Sequence, residues 1–476
     1  MRLLAGRFGI FSLRNANHPL GLLGLLVMYL SGLLLVILLS LDLLGFHTSP
    51  YLGIVTFLAL PLFFVAGVVL VLVGRWRVRR RSGPGDRGPL HPFPQWDLNL
   101  PEHRQRFLVL AVGITMVFTL AATLSFRGVE FMESVTFCGR VCHAVMDPEY
   151  IAYSNSPHAR VACVDCHIGP GANWFVKSKI SGLRQVLAVA TGDFSRPIPT
   201  PIHNLRPARE TCEQCHWPEK FHGDKVLVKN HYEEDRENTE STNVLILKVG
   251  GGSVESGFAE GIHWHMNLEN RIHYVADESH ETVHWVRSEN PDGIVREYFR
   301  EGFDPPEGFP EGFEVRRMDC MDCHNRPTHT FELSADALDK AISSGAISRG
   351  LPYIKREGMR ALEAGYETRD AAAAEIPAAL DAFYAEHHPE WVDAAELRAA
   401  KTEIVGIYRK NVFPKMGLDW GTYPNHIGHA NDGGCFRCHD EEHLTADGKS
   451  ISQDCDTCHN LLAWEEEDPE ILDQLF

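Results

Sequence analysis

Apolar positions are concentrated at one end of the chain. Three unbroken apolar runs fall within the first 126 residues, Gly21 to Leu41, Tyr51 to Gly74 and Phe107 to Phe126, and no comparable run follows. Each is near the roughly 20 residues that carry a helix across a bilayer. The pattern therefore predicts three N-terminal transmembrane helices, the second kinked at Pro61. The first run is too long for the apolar core of a secretion signal, and a second run follows it within a few residues. Beyond residue 126 the periods shorten. Val244 to Val249 (VLILKV) reads as a strand ending in Gly250-Gly251-Gly252. Gly261 to Ala276 and Thr282 to Phe299 also alternate, with a turn signal at Asn290-Pro291-Asp292-Gly293, so a small antiparallel β insert is expected there. Ser334 stands as an N-cap before an alanine-rich helical stretch that runs to about Lys410.

One further helix has a different character. In Trp174 to Val189, Val176, Ile180, Leu183 and Leu187 recur on one helical face, while Lys177, Lys179 and Arg184 lie off it. This composition suits a helix lying in the membrane interface, and an amphipathic core helix shares the pattern.

Charge adds a direction. The N-terminal flank carries Arg2, Arg7 and Arg14, and the stretch after the second run carries eight more arginines between Arg75 and Arg106. The short connection around Phe46 to Pro50 has no lysine or arginine. The positive-inside rule then places the N-terminus in the cytoplasm and everything after Phe126 outside. Residues 1–126 hold 11 arginines against four acids, so with the whole chain at −18 the remainder carries −25. An acidic outer domain steers basic partners toward it and argues against nucleic acid, although simple solvation gives the same balance.

The chemistry lies in the cysteines. All 12 fall in six pairs: Cys138/Cys142, Cys163/Cys166, Cys212/Cys215, Cys320/Cys323, Cys435/Cys438 and Cys455/Cys458. Each second cysteine is followed at once by a histidine: His143, His167, His216, His324, His439 and His459. Five pairs read C-x-x-C-H and the first reads C-x-x-x-C-H, with one residue more for its thioethers to span. C-x-x-C-H attaches c-type haem, the thiols bonding the porphyrin and the histidine coordinating iron. Six disulfides give no reason for the histidines, and zinc sites need two further ligands at matching spacing. The expectation is six covalently bound haems c, and electron transfer as the task. Bacterial c-type haem is attached outside the cytoplasmic membrane, which agrees with the arginines.

Low-spin haem takes a second axial ligand, and the outer domain offers 15 histidines beyond the motifs. His231 is a favoured candidate; His263 or His265, His329, His426 or His429, and His443 are further ones.

Cys138 to Lys179 resembles the NapC/NirT family of membrane-anchored multihaem quinol dehydrogenases. The matching text is C-G-R-V-C-H-A-V-M-D-P-E-Y, then S-N-S-P-H-A-R-V-A-C-V-D-C-H, then a lysine-bearing helix. The similarity continues through C-E-Q-C-H-W-P-E-K-F and H-Y-E-E-D-R-E-N-T, and G-I-H-W-H and N-H-I-G-H resemble its long, many-haem, ImcH-like branch. The resemblance implies a quinol dehydrogenase and electron conduit. It takes electrons from the membrane quinol pool near the first haem and delivers them to a periplasmic cytochrome or terminal reductase. It also implies His158 as an axial ligand. Met146 corresponds to the methionine that ligates the first haem in shorter members, though it stands three residues after His143 instead of two. Lys177 and Lys179 match the lysines that contact quinol, where an ammonium stabilises negative charge developing on oxygen; lysines resting on anionic headgroups look the same. Asp147 and Glu149 are either quinol proton acceptors or solvated carboxylates.

The expected architecture is a membrane-anchored multihaem cytochrome c of the inner membrane, with three N-terminal transmembrane helices and a mainly α, haem-packed periplasmic domain bearing a small antiparallel β insert. Its parts are a membrane domain (1–126), a NapC/NirT-like domain with haems one to three (127–232), the β insert with haem four (233–333), a helical spacer (334–410) and a two-haem C-terminal segment (411–476). Two other functions fit the same motifs: a haem-based reductase of nitrite or a similar oxyanion, and a passive membrane anchor and wire for another quinol-oxidising subunit. Electron direction and homo- or hetero-oligomeric state stay open.

Overall fold

The computed structural model describes residues 19–43, 60–81, 97–141, 143–169, 172–202, 206–217, 223–250, 261–266 and 270–476. The chain divides into two compact units, one of residues 1–132 with 168–184, the other of residues 133–167 with 185–476.

The first unit is helical. Its elements α1 (Pro19–Leu43), α2 (Leu60–Arg81) and α3 (Pro101–Met132) coincide with the three apolar runs. They do not make three spans. Among the described residues only Pro19–Leu38 is both long and apolar enough to cross a membrane. In α2 the apolar part is Leu60–Gly74, which at about 1.5 Å per residue is too short for a hydrocarbon core of about 30 Å. It is cut off by Arg75, Arg77 and Arg79, and residues 51–59, where the expected span began, lie outside the described residues. Helix α3 opens with Glu102, His103, Arg104 and Arg106, ends near Arg127 and Glu130, and its described residues give no apolar run of spanning length. The expectation of three transmembrane helices is therefore corrected to one. That helix is clad in exposed apolar side chains, among them Leu26, Tyr29, Leu30 and Val36.

Helices α1 and α2 pack antiparallel with their backbones nearly touching, as small residues permit in helix pairs of membrane proteins. A Cβ on Gly24 would stand 2.7 Å from the Gly67 carbonyl oxygen, and one on Gly67 would stand 2.9 Å from the Gly24 oxygen. Gly67→Leu is expected to push the pair apart at a cost of about 1–3 kcal/mol, read as a lower unfolding midpoint of the detergent-solubilised protein.

The second unit carries all six motifs on short helices and turns: α4 (His143–Ser154) follows the first, α5 (Cys163–His167) holds the second, and α7 (Ala208–Cys212) leads into the third. The boundary between the units falls within the intervening α6 (Ala172–Thr191). Two antiparallel sheets follow. One has the order β1 (Lys225–Tyr232), β2 (Glu240–Leu247), β8 (His459–Glu466). The other runs β6 (Arg316–Arg317), β3 (Arg271–Ala276), β4 (Val283–Glu289), β5 (Val295–Arg300), β7 (His443–Leu444). Four of these eight strands, β2 to β5, lie in or overlap the stretches where alternation places them, whereas β1, β6, β7 and β8 lie outside those stretches. The sheets are not a closed insert, however, because β7 and β8 come from the last two motifs and pin the C-terminal segment onto them.

The largest apolar core belongs to a block of four helices without haem motifs: α8 (Ser334–Ser343), α9 (Ile354–Leu362), α10 (Arg369–His387) and α11 (Ala395–Asn411). Leu338, Ile354, Ile376, Leu380, Tyr384, Leu397 and Ile404 are among its fully buried residues. Ser334 opens α8 as its first residue rather than its cap, and its hydroxyl donates to Glu363 (2.7 Å).

Candidate haem sites

The described cysteines are all free thiols, and thiols of consecutive motifs are neighbours. The Cys163 and Cys138 thiols share a hydrogen bond, as do those of Cys212 and Cys320. Cys166 lies close enough to Cys215 to feel its charge, as Cys323 and Cys458 each feel Cys435. The described thiols thus run as a series in the order that their motifs have along the chain. Cys323 and Cys435, before and after the helical block in sequence, lie close enough for one to feel the other's charge. Burial pushes the Cys323 and Cys438 thiols up to about 12.

The fifth motif depends on a backbone that only glycine tolerates. Gly434 has φ +43°, and a Cβ there would fall 1.7 Å from the Gly428 oxygen, which accepts from the Cys435 N–H (3.0 Å).

The motif histidines face other histidines. Ring centroids are 6.1 Å apart for His167 and His329, 6.1 Å for His216 and His158, and 6.4 Å for His324 and His263. They are 5.8 Å apart for His439 and His265, and 6.1 Å for His459 and His429. Two imidazoles on opposite sides of one metal, each bonded at about 2.0 Å, have centroids about 6 Å apart. The residues present therefore fit a haem iron held between each pair. Among the described residues no group of three or more His, Cys, Asp or Glu converges on a metal position. Haem does not need one, because the porphyrin supplies four ligands and the protein two. Burial, the largest cause in each case, holds His167, His263, His265, His324 and His459 below their ordinary value. At neutral pH they are uncharged, the form that binds metal.

Hydrogen bonds orient several of these rings. His158 Nδ1 donates to the Pro327 oxygen (3.3 Å), His263 Nδ1 to Val249 (3.0 Å), His265 Nδ1 to Ile262 (2.8 Å) and His439 Nδ1 to Ser452 (2.7 Å).

Three other candidates meet carboxylates. His231 pairs with Asp339 (3.4 Å) and His426 with Glu281 (2.9 Å). The buried His443 has both ring nitrogens bonded, to Asp440 (2.8 Å) and to the Val283 oxygen (3.1 Å). None of the three faces a motif histidine among the described residues. At the first motif, Cys142 and the His143 side chain lie outside the described residues; Met146 is half-buried one turn along α4. Of the two carboxylates there, Asp147 pairs with Arg369 (2.7 Å) and Glu149 with Arg326 (3.1 Å), so neither is simply solvated. The sequence gives no sign of either pairing.

In α6 the Lys177 ammonium sits over the Trp174 ring (4.6 Å), and Ile180, Leu183, Val186 and Leu187 are exposed.

The description "NapC/NirT cytochrome c family, N-terminal region" matches residues 101–198. The chain is 42% identical over 448 residues to "Cytochrome c-type protein ImcH" of Geobacter sulfurreducens, covering 94% of this chain and 88% of the relative. The chain belongs to the NapC/NirT cytochrome c family. No solved structure matches it. Within the NapC/NirT family it is an ImcH-like multihaem cytochrome, with haem c as cofactor and electron transfer as its role. Membership and the single apolar helix together support association with a membrane.

Proposed function

We propose that this chain is a six-haem quinol dehydrogenase and electron conduit on the outer face of the cytoplasmic membrane. The observation that carries the reading is the series of five facing histidine pairs whose thiol neighbours join consecutive motifs. Bound at such sites, haem supplies one-electron carriers with two imidazole ligands and no open iron face for a substrate, which favours conduction over oxyanion reduction. The cysteines of each motif would fix its haem covalently, and the five facing pairs would hold the iron at the second to sixth motifs. The series runs from the first motif to the last, so electrons enter at one end and leave at the other.

Lys177 and Lys179 bind the quinol oxygen in this reading, their ammonium groups stabilising negative charge as the quinol loses its proton. Trp174 beneath the Lys177 ammonium orients it, and the exposed apolar residues of α6 rest in the membrane interface. At the far end, residues 454–476 hold eight acids and no lysine or arginine, which suits a basic periplasmic acceptor.

The test is stopped-flow reduction of the purified, haem-loaded protein by a menaquinol analogue. Rapid reduction of several haems is expected, slowed by up to roughly 100-fold in Lys177→Ala with Lys179→Ala. Haems that dithionite reduces but the quinol analogue does not would sink the reading.

A further inference from the structure

Where the other facing histidines have a described Nδ1 partner, it is a backbone carbonyl. His329 is different. Its Nδ1 donates both to the Glu149 carbonyl (3.1 Å) and to the Glu149 carboxylate (3.0 Å). That carboxylate is held from its other side by Arg326, whose Nη2 lies 3.1 and 3.4 Å from its two oxygens. Arg326 is fixed in turn: its Nε donates to the His329 oxygen (2.7 Å), and its guanidinium lies 4.0 Å over the Tyr423 ring. Glu149 and Arg326 are both largely buried, with side-chain exposures of 18% and 10%.

A carboxylate accepting the N–H of a metal-bound imidazole fixes the ring and makes it a stronger electron donor. A stronger donor, with a negative charge one hydrogen bond away, favours ferric over ferrous iron. The Arg326 charge opposes this, but it lies on the far side of the carboxylate and has no hydrogen bond to the ring. The direct contact therefore decides the sign.

We propose that Glu149 is a positioning residue that locks His329 toward His167 and lowers the reduction potential at the second motif. This rests on the reading that His167 and His329 hold one iron between them. The second station of the series is then a low step just after the quinol end, while stations whose imidazoles donate to neutral carbonyls lie higher. The rest of the family-derived picture is unaffected by whether this holds.

The experiment is a spectroelectrochemical titration of the full, haem-loaded chain in detergent, with low-temperature electron paramagnetic resonance on the same samples. In Glu149→Gln one midpoint is expected to move upward while the others stay, and one low-spin signal is expected to lose imidazolate character. Glu149→Asp keeps the charge and is expected to stay closer to the wild type; Glu149→Ala serves as the probe if the glutamine variant does not fold, with the same upward shift expected. Wild-type midpoints and signals in folded Glu149→Gln, or in the alanine variant used in its place, overturn the proposal. His329→Ala separates the two ideas. A new high-spin haem in His329→Ala with unmoved midpoints in Glu149→Gln removes the role of Glu149 alone; an unchanged low-spin set in His329→Ala removes the ligand pair and the proposal with it.

Discussion

In His324→Ala, quinol is expected to reduce only roughly half of the haem absorbance, whereas dithionite still reduces all that is bound. The fourth motif stands in the middle of the series, with Cys320 hydrogen-bonded to Cys212 on one side and Cys323 beside Cys435 on the other. His324 stacks parallel to His263, with 4° between the ring planes, so its removal takes one ligand from that iron and no other. The described thiols offer no second route from the third motif to the fifth. Kinetic traces resolved at the haem absorbance check this directly. A variant that fills all its haems from quinol at the wild-type rate would show that the path is branched.

The second large effect is on stability. Lys355→Ala is expected to cost about 3–5 kcal/mol, because it strands the buried Asp339 without its cation. Lys355 is 4% exposed and Asp339 6%, and the two are in direct contact. Lys355 also donates to the Ala335 oxygen (3.0 Å), and Asp339 receives the Tyr232 N–H (3.3 Å) and faces His231. The neighbouring Asn238, fully buried at φ +49°, clasps Arg349, Leu351 and Lys355. The network ties the loop after β1 to the helical block. Calorimetry on the haem-loaded protein reads the loss. A double variant that also replaces Asp339 by Asn is expected to recover part of it, since no uncompensated charge then remains. Equal destabilisation in the single and double variants would mean that lost packing, not a stranded charge, is the cause.

The cysteine motifs are legible in the sequence because attachment chemistry is local: two thiols and a histidine must lie within one turn of backbone. The β strands and the four-helix block are legible for a similar reason, their side-chain periods being short. Which motif each further histidine serves is not, although His158, His263, His265, His329 and His429 are all among the candidates that the sequence offers. His329 meets His167 and His158 meets His216 across long stretches of chain, and the distance between partners is set by a porphyrin that leaves no period in the sequence. His231, a favoured candidate, and the further candidates His426 and His443 each meet a carboxylate, and nothing adjacent in sequence announces Asp339 or Glu281 as the partner. The membrane count shows the opposite failure. Hydropathy alone extends each apolar run to spanning length, whereas the described helix α2 has only Leu60–Gly74 as its apolar part.

The four-helix block leaves and rejoins the haem-bearing chain at a single point. The Glu332 N–H donates to Asn411 Oδ1 (2.8 Å), and Phe331 packs on Phe413 (6.1 Å). Contour length and conduction length are thereby uncoupled. The 80 residues from Glu332 to Asn411 form this detour without lengthening the hop between the fourth and fifth stations, since Cys323 and Cys435 lie close enough for one to feel the other's charge. For a protein whose rate depends on short hops, that makes the block the place where new surface can be gained with the current left untouched.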